Sequence, residues 1–463
     1  MNAPSSPPTA ARPSPRYRTP PGPRSAFWLA NVRAMRRDRL EFVQALQRTY
    51  GDVVRYRVAF WTLYQVSHPD HVRHVLQDNH RNYTKGAVLT NLLAPVLGNG
   101  LFTSEGDFWL RQRRLMQPVF HRKRIAAFGT IMTDVTTRRL ERWQACAERG
   151  QPLDIAAEMM RLTLVVATRS LFGADVSAQV DVVDRAFTAA SEHLTYKFDI
   201  PFYPPASIPT PRNRRFRASL QALDRVVYGL IDERLRRNDE SGDLLSMLLQ
   251  VRDAETGEGM SRAQLRDEVM TLLLAGHETT ANALTWSWYL LSQHPEAERR
   301  LQTEVATVVG GRLPTVDDLP HLPYTRMVFE EALRLYPPVW ITQRQAIAED
   351  EIGGYHIPAG ATIALSPWVT HRRPDIWPDP MRFEPERFTE ERVAERLRGA
   401  YIPFGSGPRQ CIGQSFAMVE GQLVLATIAQ QFRLQLVPGR TVEPEARLTL
   451  RPHGGLPMIL QRV

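Results

Sequence analysis

The chain has 463 residues, of which 43% are hydrophobic and 23% charged, a balance that excludes a disordered or fibrous protein and allows a large core. Its formal charge is +9, but the basic residues are scattered through amphipathic segments with no zinc-finger spacing, basic zipper or aromatic RNA-binding signature, which argues against a nucleic-acid partner. The only cysteines, Cys146 and Cys411, exclude a disulfide scaffold and fit a reducing, cytoplasmic compartment.

Residues 1–24 are rich in proline and arginine and read as a disordered or extended tail, and residues 25–463 read as a single folded domain. No run of 18 apolar residues is present, so neither a signal peptide nor a membrane anchor is expected. Leu40 to Tyr50 has helical periodicity, and the turn at Gly51-Asp52 leads into two β-rich runs, Val53 to Val58 and Trp61 to Val66. Pro69 opens a further helical stretch. Gly86 to Gly100 is apolar but carries Pro95, Gly98 and Gly100, and reads as a loop or broken helix. Helical segments then predominate from Gly106 to about Leu335, interrupted by a proline cluster at 201–211.

The longest periodic segment runs from Arg262 to about His294. Ser261 with Gln264 opens it as a capping box, and Pro295 closes it. Such a helix would span roughly 50 Å. Its centre holds Gly276-His277-Glu278-Thr279-Thr280, poor helix formers between apolar turns, and a local inconsistency of this kind marks a functional site. Beyond Pro337 come short β-like runs, Tyr355 to Ile357 and Thr362 to Leu365, then a last helix after Gly413. Two runs between Leu448 and Leu460 suggest a terminal hairpin. The fold class is therefore mainly α with small β-sheets.

Cys411 lies in Phe404-Gly405-Ser406-Gly407-Pro408-Arg409-Gln410-Cys411-Ile412-Gly413, just before that last helix, where helix dipole and free N–H groups favour a thiolate. Glycines on both sides would let backbone approach a flat cofactor closely. One cysteine cannot complete a zinc site, and no C-x-x-C-H motif for covalent haem is present. The plain alternative is a buried, inert cysteine in a glycine-rich turn.

The spacing F-x-x-G-x-R-x-C-x-G resembles the haem-binding signature of cytochromes P450, matched by Phe404, Gly407, Arg409, Cys411 and Gly413. Four further motifs follow the family's order across roughly Tyr50 to Leu460. Ala275-Gly276-His277-Glu278-Thr279 resembles A-G-x-[D/E]-T, which implies that Glu278 and Thr279 relay protons to bound dioxygen. His277 falls on the variable position and receives no role. Glu331-x-x-Arg334 with Arg387 of Pro385-Glu386-Arg387-Phe388 resembles the E-x-x-R and P-x-R-F pair, which implies structural support. Trp109-x-x-x-Arg113 resembles W-x-x-x-R, which with Arg344 and Arg409 implies partners for the haem propionates.

The resemblance implies the P450 fold, a triangular helical prism whose long central helix lies over haem b held by Cys411. It implies a monooxygenase that inserts one atom of O2 into a lipophilic substrate: a fatty acid, which the motif wording favours, a terpenoid or a polyketide. Ala275, Val339, Trp340 and Ile341 would bound the pocket with Val88, Leu89, Leu92 and Leu93, and bulky Trp340 would restrict access. Electrons would come from a separate ferredoxin with its reductase or from a flavodoxin, docking on Arg111, Arg114, Arg122, Lys123 and Arg124. A peroxide-using or isomerising haem-thiolate enzyme and a non-catalytic haem sensor are the alternatives; the Glu278-Thr279 pair argues against the first, and the lack of a DNA-binding motif against the second.

Overall fold

The structure is a computed structural model describing residues 18–23, 28–200, 203–205, 207–237, 243–250, 257 and 259–463. The chain opens with α1 (Trp28–Arg37) and α2 (Arg39–Tyr50), the latter capped by Asp38, whose side chain accepts the Glu41 N–H, and stopped by Gly51 at φ 93°. β1 (Val53–Val58) and β2 (Trp61–Val66) form the expected hairpin, and α3 (Pro69–Arg73) runs into a π-helical turn at His74–Asp78. β3 (Tyr83–Thr84) precedes α4 (Ala87–Leu97).

Of the two readings of this segment, loop or broken helix, the structure has a helix: α4 carries Pro95 inside it at the loss of one intrahelical N–H bond, Gly98 ends it, and Leu93 and Val96 are buried. The helical body continues with α5 (Gly106–Met116) and α6 (Arg122–Glu148). After β4 (Leu153–Asp154) come α7 (Ile155–Phe172), α8 (Val180–Asp199), α9 (Pro211–Arg237) and α10 (Leu244–Gln250). Of the proline cluster, Pro201 lies outside the described residues, Pro204, Pro205 and Pro209 are non-helical, and Pro211 opens α9, where its missing N–H costs nothing.

α11 (Arg262–Gln293) is the long helix read from the sequence. Ser261 accepts the Gln264 N–H at 3.1 Å, the first half of the expected box. It is buried nearly all round and packs against α7, α13, α9 and α16, the arrangement of a central rather than a surface helix. α12 (Pro295–Val309) and α13 (Pro323–Leu335) follow, then β5 (Thr342–Ala346), β6 (Asp350–Ile352), β7 (Tyr355–Ile357), β8 (Thr362–Leu365), α14 (Pro367–Thr370), α15 (Glu390–Glu395) and α16 (Gln414–Ala429). The chain closes with β9 (Phe432–Leu436), β10 (Pro444–Ala446), β11 (Leu450–Pro452) and β12 (Pro457–Arg462).

The largest sheet has the order β1-β2-β8-β5-β3, with β2 and β8 parallel and the other pairs antiparallel. The expected hairpin of the two last runs does not form: β11 pairs back onto β10, whereas β12 joins β9 and β4 in another sheet. Gly454 and Gly455, at φ 71° and 81°, separate the two. The end of the tail is described in part. Arg18 bridges to Tyr355 of β7, and the Pro21 carbonyl accepts the Arg55 N–H of β1 at 2.8 Å; residues 1–17 and 24 lie outside the described residues. Among the described residues no helix is long and apolar enough to cross a membrane.

Candidate active site

The loop carrying Cys411 is shaped by two left-handed glycines, Gly405 at φ 68° and Gly407 at φ 71°. A Cβ at Gly407 would stand 1.9 Å from the Leu76 carbonyl oxygen, so packing on the His74–Asp78 turn by itself requires this glycine. Gly413 is different, since a Cβ there would meet only ordinary contacts. The Cys411 N–H donates to the Phe404 carbonyl at 2.9 Å and folds the loop back on itself. α16 starts at Gln414, with Gly413 as its N-cap, and the Gly413 N–H points at the Cys411 sulfur. Burial pushes the Cys411 thiol up, while that N–H, Arg113 and Lys85 pull it down. The side chain nevertheless has accessible surface. Dense surroundings together with accessible surface describe a thiol at the wall of an internal space.

Around it the fold gathers four cations: Lys85, Arg113, Arg344 and Arg409. Arg344 lies on β5 and is 9% exposed; Lys85, between β3 and α4, is 8% exposed. Burial lowers the pKa of all four, that of Arg409 to about 10 and that of Lys85 well below its usual range, and mutual repulsion adds to the effect at Lys85 and Arg409. Glu105 is the carboxylate that faces the set. It is ion-paired with Arg409 and accepts the Lys85 backbone N–H at 2.6 Å. The Arg409 guanidinium also lies 4.0 Å over the Trp109 ring, and Arg113 lies 6.0 Å from it. Four cations against one carboxylate, next to an accessible thiol, form a donor set suited to a dianionic metal macrocycle: the thiol offers one soft ligand, and the cations offer the counter-charge that buried carboxylates need. The residues present fit haem.

Lys85 and Glu105 were not singled out in the sequence. The only local signal at Lys85 is that it is one of three lysines in a chain that otherwise uses arginine. Lys85→Met is expected to lower haem retention about tenfold with little loss of fold; haem content after gel filtration, against melting of the apoprotein, checks this.

On α11, 22 of the 32 residues are buried, yet Ala275 is exposed and Thr279 half-exposed. Exposed surface at the middle of a helix packed on several sides is surface of a cavity. The Thr279 hydroxyl donates to the Ala275 carbonyl at 2.7 Å, the back-bond that loosens the local helix ladder. Glu278 is 3% exposed, and its Oε1 accepts the Thr449 hydroxyl at 2.6 Å. Burial raises its pKa to about 7. His277 faces the other way, edge-on to Phe187, and burial lowers it to about 4, so it is neutral there.

Glu331 and Arg334 form a bidentate pair at 2.6 and 2.7 Å, both fully buried. Arg334 also donates to the carbonyls of His371, Pro380 and Arg382, and Glu331 accepts the Glu384 N–H at 3.0 Å. Arg387 stands 3.4 Å from Glu331 and 3.1 Å from Glu384. The three residues tie α13 to the segment leading to the Cys411 loop.

Of the expected pocket walls, Ala275 and Val339 are exposed and Ile341 is half-buried. Trp340 is only 4% exposed: its ring sits in a satellite cluster with Leu40, Val43, Trp368, Val369 and Leu450, and its Nε1 donates to the Arg447 carbonyl at 2.9 Å. It therefore lends little surface to a pocket, and the expected restriction of access by this ring has no support. Leu89 and Leu92 pack on the main core from α4, where Leu93 is buried, and Val88 is half-buried. A cleft of about 910 Å³ between α2, α8, α9 and the β10–β11 hairpin is walled by Arg39, Glu192, Arg212, Arg215 and Arg447, and none of the candidate site residues lines it.

The chain matches the family described as Cytochrome P450 over residues 20–456. It is 40% identical to "Cyclooctatin synthase" of Streptomyces melanosporofaciens over 90% of each chain. It is 39% identical to "Cyclooctat-9-en-7-ol 5-monooxygenase" of the same organism, over 98% of this chain and 97% of that one. In structure it is similar to the haem domain of cytochrome P450DA, with a TM-score of 0.88, 27% identity and coverage of 96% and 98% of the two chains.

Proposed function

The chain belongs to the cytochrome P450 family and is a haem-thiolate monooxygenase for lipophilic substrates, and from that premise we propose that Cys411 is its axial ligand, with Glu278 and Thr279 handling the protons of oxygen activation. Haem b, when bound, supplies reductive activation of O2 and transfer of one oxygen atom to the substrate. The observation that carries the assignment is the accessible Cys411 thiol beside four cations faced by one carboxylate.

In this reading Lys85, Arg113, Arg344 and Arg409 neutralise the two propionates, and Trp109 holds Arg409 in place by stacking. The Phe404 carbonyl folds the loop by accepting the Cys411 backbone N–H, and the Gly413 N–H faces the sulfur. Glu331, Arg334 and Arg387 keep the segment before the loop rigid and touch no substrate. Thr279 presents its hydroxyl to the cavity, and Glu278, held near neutrality by burial, stores a proton one residue away.

Ala275, Val339 and Ile341 supply an apolar wall. The relative named for cyclooctat-9-en-7-ol acts on a cyclic unsaturated alcohol, which favours the terpenoid choice over a fatty acid or polyketide for this chain as well. Turnover with NAD(P)H, ferredoxin and reductase tests the substrate class. Oxidation of cyclic terpene alcohols in preference to fatty acids is expected, and the opposite order would overturn this choice.

A separate ferredoxin or flavodoxin is the proposed electron donor. Arg111, Arg114, Arg122, Lys123 and Arg124 are all exposed on α5 and at the start of α6, a positive face for an acidic partner. Arg114→Glu with Lys123→Glu should slow reduction by the partner about tenfold at low salt and leave the ferrous–CO spectrum unchanged; an unchanged rate refutes the docking face. Both cysteines are free thiols, which supports action in the cytoplasm.

A further inference from the structure

We propose that Thr449, on the bend between β10 and β11, is a positioning residue for the oxidation: it holds the Glu278 carboxyl on the hairpin side of α11, and Asn282 fixes the direction of its hydroxyl. The inference rests on the proton-handling role assigned to Glu278. Glu278 and Thr279 are consecutive in a helix and project about 100° apart. Thr279 puts surface into the cavity, whereas Glu278 is turned to the C-terminal hairpin, 171 residues away in sequence.

The hydrogen-bond arithmetic leaves Thr449 one arrangement. A threonine hydroxyl has one proton to give. The Asn282 amide donates into Thr449 Oγ1 at 3.1 Å, so that oxygen is already an acceptor and its proton goes to Glu278 Oε1 at 2.6 Å. Asn282 follows Glu278 by one helical turn, which places both on the face that meets the hairpin. Thr449 is 6% exposed and Asn282 1%, so water does not substitute for either bond.

This bond favours the ionised carboxylate, against the burial that favours the neutral acid. The other charges facing Glu278 are Arg447 and Arg451 on the hairpin and Asp184 on α8. Arg447 is held by Glu192 and Glu445 and Arg451 by Glu445, while burial and the like charge of Asp181 push Asp184 up against the fields of Arg161, Arg451 and Arg185. Handing a proton towards Thr279 requires the carboxyl to leave the hairpin, so the Thr449 bond opens in each cycle.

The test is Thr449→Val, close in shape but without the donor. In the resting ferric protein, the infrared carbonyl band of protonated Glu278, identified by its absence in Glu278→Gln, should persist to a pH about one unit higher than in the wild type. The pH at which NAD(P)H-driven oxygen consumption falls by half should move up with it, and Thr449→Ser should restore both. Asn282→Ala, which frees the hydroxyl to turn, should give a smaller shift in the same direction and serves if Thr449→Val does not fold. Midpoints unchanged in Thr449→Val and Asn282→Ala would overturn the proposal. Normal turnover in Glu278→Gln would instead overturn the role of Glu278 itself.

Discussion

Arg334→Ala is expected to give a chain that neither folds stably nor retains haem. Arg334 has no exposed surface, and it satisfies both oxygens of Glu331 and three backbone carbonyls at once. Removing one partner of such a pair strands the other charge in a region water does not reach, a loss of about 3–5 kcal/mol. A domain is stable by roughly 5–15 kcal/mol in total, so this single change removes a large part of the margin. The consequence reaches the haem loop, because the freed carbonyls belong to the segment that leads to Phe404. Arg334→Lys should recover only part of the loss, since an ammonium cannot pair bidentately and also reach those carbonyls. Thermal melting and haem content measure both effects; a variant that melts and binds haem like the wild type would contradict the account.

Glu278→Gln is expected to lower product formation by about 10²- to 10⁴-fold, the range for a positioned general acid or base. The pH dependence carries the more specific signature. Burial raises the Glu278 pKa to about 7, so the carboxyl holds its proton at pH 6 and has lost it at pH 8. Wild-type turnover should therefore fall as pH rises through about 7, whereas the glutamine variant should be slow and flat. Stability follows the same sign. A raised folded-state pKa contributes stability that is present in full below the unfolded value, near 4.5, and is lost as pH rises through about 7, a difference on the order of 3 kcal/mol. Glu278→Gln should flatten that decline. Equal pH profiles for the two proteins would remove Glu278 from the proton path.

What was legible in the sequence was what a local pattern can encode. Alternation and turn residues located the strands at 53–58, 61–66, 355–357 and 362–365, and periodicity with a capping serine located α11. Pairing was not legible. The runs at 450–452 and 457–462 are both strands, but a strand's period does not say which neighbour it hydrogen-bonds, and these two pair with different partners. Residues 87–97 read as a loop or broken helix because Pro95 removes a helix donor, but burial of Leu93 and Val96 keeps them in one helix, with glycines only at its two caps. At the site, Cys411, Glu278, Thr279 and the arginines belong to spaced motifs. Lys85, Glu105, Asn282 and Thr449 belong to none: Asn282 sits one turn along α11 from Glu278, and the others reach the site through packing of segments distant in sequence. Trp340 illustrates the converse, since its position beside the motif helix suggested a pocket wall, while the hairpin carbonyl of Arg447 and the Trp368 cluster hold its ring elsewhere.

The central claim is that Cys411 is the iron's thiolate ligand, and the ferrous–CO difference spectrum of the purified protein beside Cys411→Ala tests it most directly. The account predicts the red-shifted Soret band of thiolate-ligated haem in the wild type and its loss in the variant. The same band in Cys411→Ala, or an imidazole-type band in the wild type, would contradict it.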